Sequence, residues 1–280
     1  MVSASILSNI VPRAFLIYSA YLHLYFMGWL FLRSDRSTQR MLKWLSLKTT
    51  CPKGLQHARA IYGGVGVSMG LIFLFCALIP SALSAGTYFM AVTYLGAILA
   101  RGGSMHVNNV DDVNIRNIFM IESSGFIMSI MGICLIGAGD RGSRITHATT
   151  TLLPSIVLAC YGVWILYLAS LTLFFGSNFL LKSISLDTIS TAGVAEICAL
   201  FGGFAASVGV AFLFCAIVPD ATKIGLCFMG CLNAGVVAVR LDTVLNKGGA
   251  ALDNKMWRAL YTECFWILCY FIGLVTLAIF

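Results

Sequence analysis

The chain has 280 residues, of which 59% are hydrophobic and only 10% charged, and its mean hydropathy is +0.92. Soluble domains carry about a quarter charged residues, so this composition excludes a soluble enzyme or binding module and places the chain in a bilayer. The net charge of +7 does not indicate nucleic acid, because the basic residues sort to one side of the predicted membrane, as orientation requires.

A helix needs about 20 apolar residues to cross the hydrocarbon core. The apolar runs predict eight such helices, near residues 12–32, 58–79, 86–100, 117–137, 152–175, 194–218, 222–239 and 258–280. The third and seventh are short on this reading. The N-terminus has neither a basic stretch ahead of an apolar run nor an Arg-rich amphipathic pattern, so no cleavable address is expected. The longest loop, residues 33–57, sets Met41, Leu42, Trp44, Leu45 and Leu47 among Arg36, Arg40, Lys43 and Lys48, which predicts a short helix in the headgroup layer. Its later counterpart, residues 178–192, has lost most of that charge.

The second and sixth runs match. Tyr62-Gly63-Gly64 leads into Phe73-Leu-Phe-Cys-Ala-Leu-Ile-Pro80, and Phe201-Gly202-Gly203 leads into Phe212-Leu-Phe-Cys-Ala-Ile-Val-Pro219. Aligned without a gap, residues 54–101 and 193–240 share 18 identities in 48 positions, among them Arg101 with Arg240. Such self-similarity marks a duplication. The expected fold is therefore an all-α integral membrane protein with eight transmembrane helices as two parallel four-helix repeats, residues 1–145 and 146–280, joined through residues 137–151. Four helices return the chain to its starting side, so the halves share one orientation, unlike inverted repeats.

Placing both termini on the non-cytoplasmic side puts thirteen Lys and Arg inside and leaves Arg13, Arg141, Arg144 and Lys223 outside, a clear bias. Nine of the ten cysteines fall in apolar runs, where a thiol acts as a small hydrophobe. That usage favours an organelle, with the mitochondrial inner membrane expected and a plastid thylakoid or bacterial inner membrane as alternatives.

Ionisable groups at membrane depth are functional candidates by default. Arg101 and Arg240 close the third predicted helix of each copy, and Glu122 and Glu263 open the fourth, so the pairs Arg101 with Glu122 and Arg240 with Glu263 are expected. The plain reading has each arginine snorkel to the interface beside a glutamate favoured by a helix N-terminus; the sharper one makes them a ligand site. Glu196 aligns with His57, and Cys198 with Arg59. A site using Glu196 and His57 together requires the halves to face each other; otherwise the two positions decayed separately. Gly63, Gly64, Gly66, Gly70, Gly202, Gly203 and Gly209 put small residues along helix faces and read as close packing. His23 has no second histidine four residues away, His57, His106 and His147 are scattered, and no Cys-x-x-Cys occurs, so no metal, haem or other cofactor is expected. Asp111 and Asp112 read as a solvated turn. Nucleophile elbows, HExxH and Walker sequences are missing.

The charged residue before Tyr/Phe-Gly-Gly, the proline after the apolar run, the arginine closing the third helix and the glutamate opening the fourth resemble a bacterial family of four-helix membrane domains of unknown function. The resemblance covers residues 55–137 and 194–280 best and makes the chain similar to two fused copies. It implies a fold and no activity. The expectation is a non-catalytic accessory subunit of a larger membrane complex, with lipids and other membrane subunits as partners. The alternative is a small-solute transporter or lipid-binding protein with its site between the repeats.

Overall fold

The structure, a computed structural model, describes residues 4–139, 152–175, 180–182, 184–247 and 254–279. The expected boundary at 145, with Arg141, Arg144 and His147, lies outside the described residues. Among the described residues, eight helices are long and apolar enough to cross a membrane: Ser8–Leu32, Gly54–Leu78, Pro80–Val107, Val113–Ile136, Leu152–Phe174, Thr191–Ile217, Ala221–Asn246 and Trp257–Thr276, here the first to eighth spans. The protein is an all-α membrane protein in this sense.

The third and seventh spans are not short, which corrects the sequence reading. They are 28 and 26 residues long and continue past Arg101 and Arg240. The arginines do not end them because each guanidinium meets a carboxylate inside the protein, which removes the reason to stop at the headgroups. Chain breaks are local and explicable. Ile79 is extended (φ −97°, ψ 114°), as the residue before Pro80 must be. Asp112 is the N-cap of the helix from Val113 rather than a solvated turn, its Oδ1 accepting from the backbone N–H of Asn114 (2.9 Å) and Ile115 (3.1 Å).

The second, third and seventh spans are more than half buried and the sixth is 39% buried, whereas the first, fourth, fifth and eighth are 28% buried or less. Four inner spans thus carry the core and four outer spans clad it. The main cluster joins Leu16, Met69, Phe73, Met90 and Tyr94 to Leu158, Tyr161, Phe212, Leu226 and Met229. Close approach at the centre depends on glycine. A Cβ on Gly96 of the third span would run into the Gly203 carbonyl and Ser207 hydroxyl of the sixth, and one on Gly235 of the seventh into the Gly64 carbonyl and Ser68 hydroxyl of the second. Ser68 Oγ donates to Gly64 O (2.9 Å) and to Cys231 O of the seventh span (2.8 Å). Gly63, Gly66 and Gly70 pack on the first span, and Gly202 and Gly209 on the fifth.

The loop after the first span folds as the predicted short helix, Asp35–Trp44, with Thr38 and Leu42 buried and Ser34 accepting from Ser37 N at 3.1 Å as its N-cap. Unforeseen is a small sheet beyond it. Strand β1 (Leu47–Thr49) pairs antiparallel with β2 (Leu186–Thr188), setting Lys48 opposite Asp187. Ser46 and Ser185 both take φ 57° just before their strands, and Leu45, Leu47, Leu181 and Leu186 form a second core under the sheet with Phe31 and Tyr62. Short strands with one buried residue each carry no readable alternation.

Three spans contain a π-helical turn: His23–Trp29, Arg59–Gly64 and Cys198–Phe204. Such turns are rare and occur often at functional sites.

Candidate functional site

The C-terminal part of the third span presents Arg101, 2% exposed. Its guanidinium makes a two-pronged contact with Glu122 of the fourth span, Nε to Oε2 and Nη2 to Oε1, both 2.9 Å. Its Nη1 donates to Oε2 of Glu196 from the sixth span. Forked contacts of this kind are the stronger class of ion pair and fix geometry as well as charge. Glu122 is the tenth residue of its helix rather than an opening residue, so neither a helix N-terminus nor snorkelling holds the pair. A buried charge needs partners of this quality, because an unpaired one at this depth is prohibitively costly.

Arg240 and Glu263 also pair, through Nε at 2.9 and 3.2 Å from the two carboxylate oxygens. Arg240 Nη1 is buried with no hydrogen-bond partner among the described residues. The two arginines are thus unequal among the described residues: one is gripped through three nitrogens by two carboxylates, the other through a single nitrogen by one. His57, aligned with Glu196, is buried at 3%, next to Gln56, whose Oε1 accepts from Thr243 (3.2 Å) of the seventh span. The structure does not place His57 in the Arg101 cluster, nor Arg59. Arg59 Nη2 donates to the Leu32 carbonyl at the end of the first span (2.9 Å), and its Nη1 faces Asp35 at 3.4 Å, a helix-capping role.

The Arg101 cluster lies on the wall of a cavity of about 350 Å³, inside the size range of small-ligand sites. The remaining lining is apolar and aromatic, with Phe26, Phe31, Trp44, Tyr94, Ile118 and Phe204 among it, plus His23, Thr93 and Asn117 as further polar groups. Phe26, Ile121 and Trp44 line the cavity and are also 41%, 44% and 36% exposed. Part of the lining contributed by the first span, the fourth span and the short helix is thus at the surface of the molecule. Two of the three π-turns supply lining residues, His23, Phe26 and Met27 from one and Ala199, Leu200 and Phe204 from the other. Sequence reasoning paired Arg101 with Glu122 and missed that Glu196 joins them. The signal available for Glu196 was its alignment with His57, which does not line the cavity.

His23 Nδ1 lies 2.8 Å from Ser19 O and its ring sits edge-on to Phe73, 5.3 Å between centroids. Ser19 Oγ in turn is 3.3 Å from the Tyr94 hydroxyl. In the second half the phenol has moved to the outer helix, and Asn233, aligned with Tyr94, donates to Tyr161 (2.9 Å). Trp266 packs on Tyr161 at 5.0 Å. Three residues past Glu122, where Trp266 stands relative to Glu263, is Gly125, whose missing side chain leaves room for the Tyr94 ring. No group of three His, Cys, Asp or Glu suited to a metal ion occurs among the described residues.

No family model, no curated protein and no solved structure matches this chain.

Proposed function

We propose that this protein is a non-enzymatic membrane-embedded binding protein for a small amphipathic molecule, held in the cavity between the first four spans and the sixth. The observation that carries the reading is the Arg101–Glu122–Glu196 cluster on the wall of an otherwise largely apolar, aromatic cavity, part of whose lining is at the surface. Few polar groups set in an apolar pocket are what orients a ligand. Entry from the bilayer through Phe26 and Ile121 suits a molecule already dissolved in lipid.

The finer architecture we infer is two four-helix repeats related by an axis along the membrane normal, the site drawing Glu196 from the second repeat into the first. In support, Lys48 faces Asp187, its own match 139 residues on, and the matched glycines Gly96 and Gly235 make matched contacts. The Lys- and Arg-rich loops then face the matrix, stroma or cytoplasm and both termini the opposite side. A mitochondrial inner membrane is the favoured setting.

A second reading, an accessory subunit of a larger complex, draws on one feature. Tyr18, Tyr21, Tyr25 and Trp29 form an exposed face of the first span, with Tyr21 stacked on Tyr25 at 5.8 Å, suited to a neighbouring subunit or to the lipid interface.

The test compares wild type with two plugged cavities, Ala97→Phe and Ile118→Trp, each purified in mild detergent and checked by gel filtration. Mass spectrometry is expected to find one amphipathic species retained near one per chain in wild type and lost from both variants. Retention by both plugged variants removes the cavity reading. An empty wild type that travels with a larger assembly transfers the assignment to the accessory subunit.

A further inference from the structure

Resting on the binding reading above, we infer that the ligand carries a positively charged head: a primary, tertiary or quaternary ammonium on an apolar tail. The charged groups on the cavity wall are one guanidinium and two carboxylates, Arg101 against Glu122 and Glu196. His23 is the other titratable basic group of the lining. Carboxylates on the wall thus outnumber guanidinium groups two to one. An anionic head would meet two carboxylates, and the one guanidinium able to attract it is already engaged through Nε, Nη1 and Nη2. A cation can approach Glu196, of which Arg101 engages Oε2, since unlike charges attract most strongly where water is scarce.

The rest of the lining fits the same head. Phe26, Phe31, Trp44, Tyr94 and Phe204 surround the cavity, and aromatic faces attract cations, an arrangement used to hold quaternary ammonium groups. Phe31 is itself stacked on Tyr62 at 4.9 Å and fully buried, so its ring is held in place. Phe26 and Ile121, apolar lining residues that are also at the surface, would leave the tail in the lipid while the head sits by the carboxylates. A lipid whose head bears an ammonium and a free lipophilic amine share this chemistry.

The test is equilibrium binding to the full chain in nanodiscs of neutral lipid, using radiolabelled decyltrimethylammonium, decanol and decanoate, with the Ala97→Phe chain as the blank for partition into lipid. Decyltrimethylammonium is expected to saturate at one per chain and to bind at least about tenfold tighter than the other two, a difference of about 1.4 kcal/mol. Glu196→Gln, nearly the same shape, is expected to abolish that margin while still folding, because Glu122 keeps the Arg101 charge paired; a cooperative melt, even at a lowered midpoint, verifies the fold. Equal or tighter binding of decanol or decanoate overturns the cationic assignment and leaves the binding reading standing. Absence of any blank-sensitive binding for all three overturns both. Dodecylphosphocholine and tetramethylammonium separate the two sources. Competition by the zwitterion points to a membrane lipid, competition by the cation alone to a free amine, and either outcome supports the ammonium head.

Discussion

Arg101 and Glu196 are 95 residues apart, come from opposite halves of the chain, and meet through the guanidinium Nη1 with both side chains 5% exposed or less. Burying such a pair is costly, and breaking it by removing one partner costs about 3–5 kcal/mol because a charge is left stranded. Arg101→Gln is therefore expected to lower the unfolding midpoint sharply in detergent. Replacing the whole cluster, Arg101→Met with Glu122→Met and Glu196→Met, is expected to restore most of that stability, since no charge is then uncompensated. Ligand binding should stay lost. Thermal melts of both variants check the contrast, and a triple variant no more stable than Arg101→Gln contradicts it.

The two arginines should respond differently to a conservative change. Lysine keeps the charge and loses the fork. At 101 it forfeits contacts to two carboxylates, and at 240 contacts made by Nε alone. Arg101→Lys is expected to be more destabilising than Arg240→Lys by at least about 1 kcal/mol. Parallel melts in one detergent measure the difference.

Glycines of the third span divide into two kinds. A Cβ on Gly96 would strike the backbone of the sixth span, whereas one on exposed Gly103 meets nothing within 4 Å. Gly96→Ala is expected to cost about 1–3 kcal/mol by overpacking. Gly103→Ala should be neutral or stabilise by up to about 1 kcal/mol, through helix propensity alone. Equal effects would mean that the third and sixth spans do not cross there.

Much of this fold is readable from residues because hydropathy reports directly on the bilayer. Eight spans, the short helix after Arg33 and the pairing of Arg101 with Glu122 follow from apolar length, charge pattern and loop order. The ends of the third and seventh spans do not, because Arg101 and Arg240 look like interface residues until their carboxylate partners are placed. Contacts between the halves are harder still. Glu196 approaches Arg101 only because Gly96 and Gly203 let two spans touch, and a glycine in sequence does not name what it touches. The cavity is least legible, since it is made by π-turns at His23 and Cys198 that hydropathy cannot reveal.

The pairing of β1 with β2 offers a direct check on how the halves face each other. Lys48 and Asp187 are direct cross-strand partners with both side chains about half exposed. Opposed antiparallel residues have Cα atoms about 4.5–5.5 Å apart, inside the range a disulfide spans. Lys48→Cys with Asp187→Cys is expected to cross-link under mild oxidation, read as a linked peptide pair by mass spectrometry. Lys48→Cys with Ile189→Cys, out of register, should link far less.

Tyr94 and Gly125 provide the last test, because each explains the other. A Cβ at 125 would lie 2.6 Å from the Tyr94 ring, and in the second half the aligned positions hold Asn233 and Trp266, the smaller and larger members exchanged. Gly125→Ala alone is expected to cost about 1–3 kcal/mol. In a Tyr94→Asn background the same change should be nearly free, since the ring it strikes is gone. The double-mutant cycle should thus give a coupling of at least about 0.5 kcal/mol, the lower range for residues in contact. Additive effects would show that the ring has room to move, and that Gly125 is small for some reason other than Tyr94. A coupling of the expected sign has a further consequence for the cavity, because Tyr94 lines it. Moving that ring should alter ligand binding, whereas adding Gly125→Ala to the Tyr94→Asn chain should leave binding as it is in Tyr94→Asn alone.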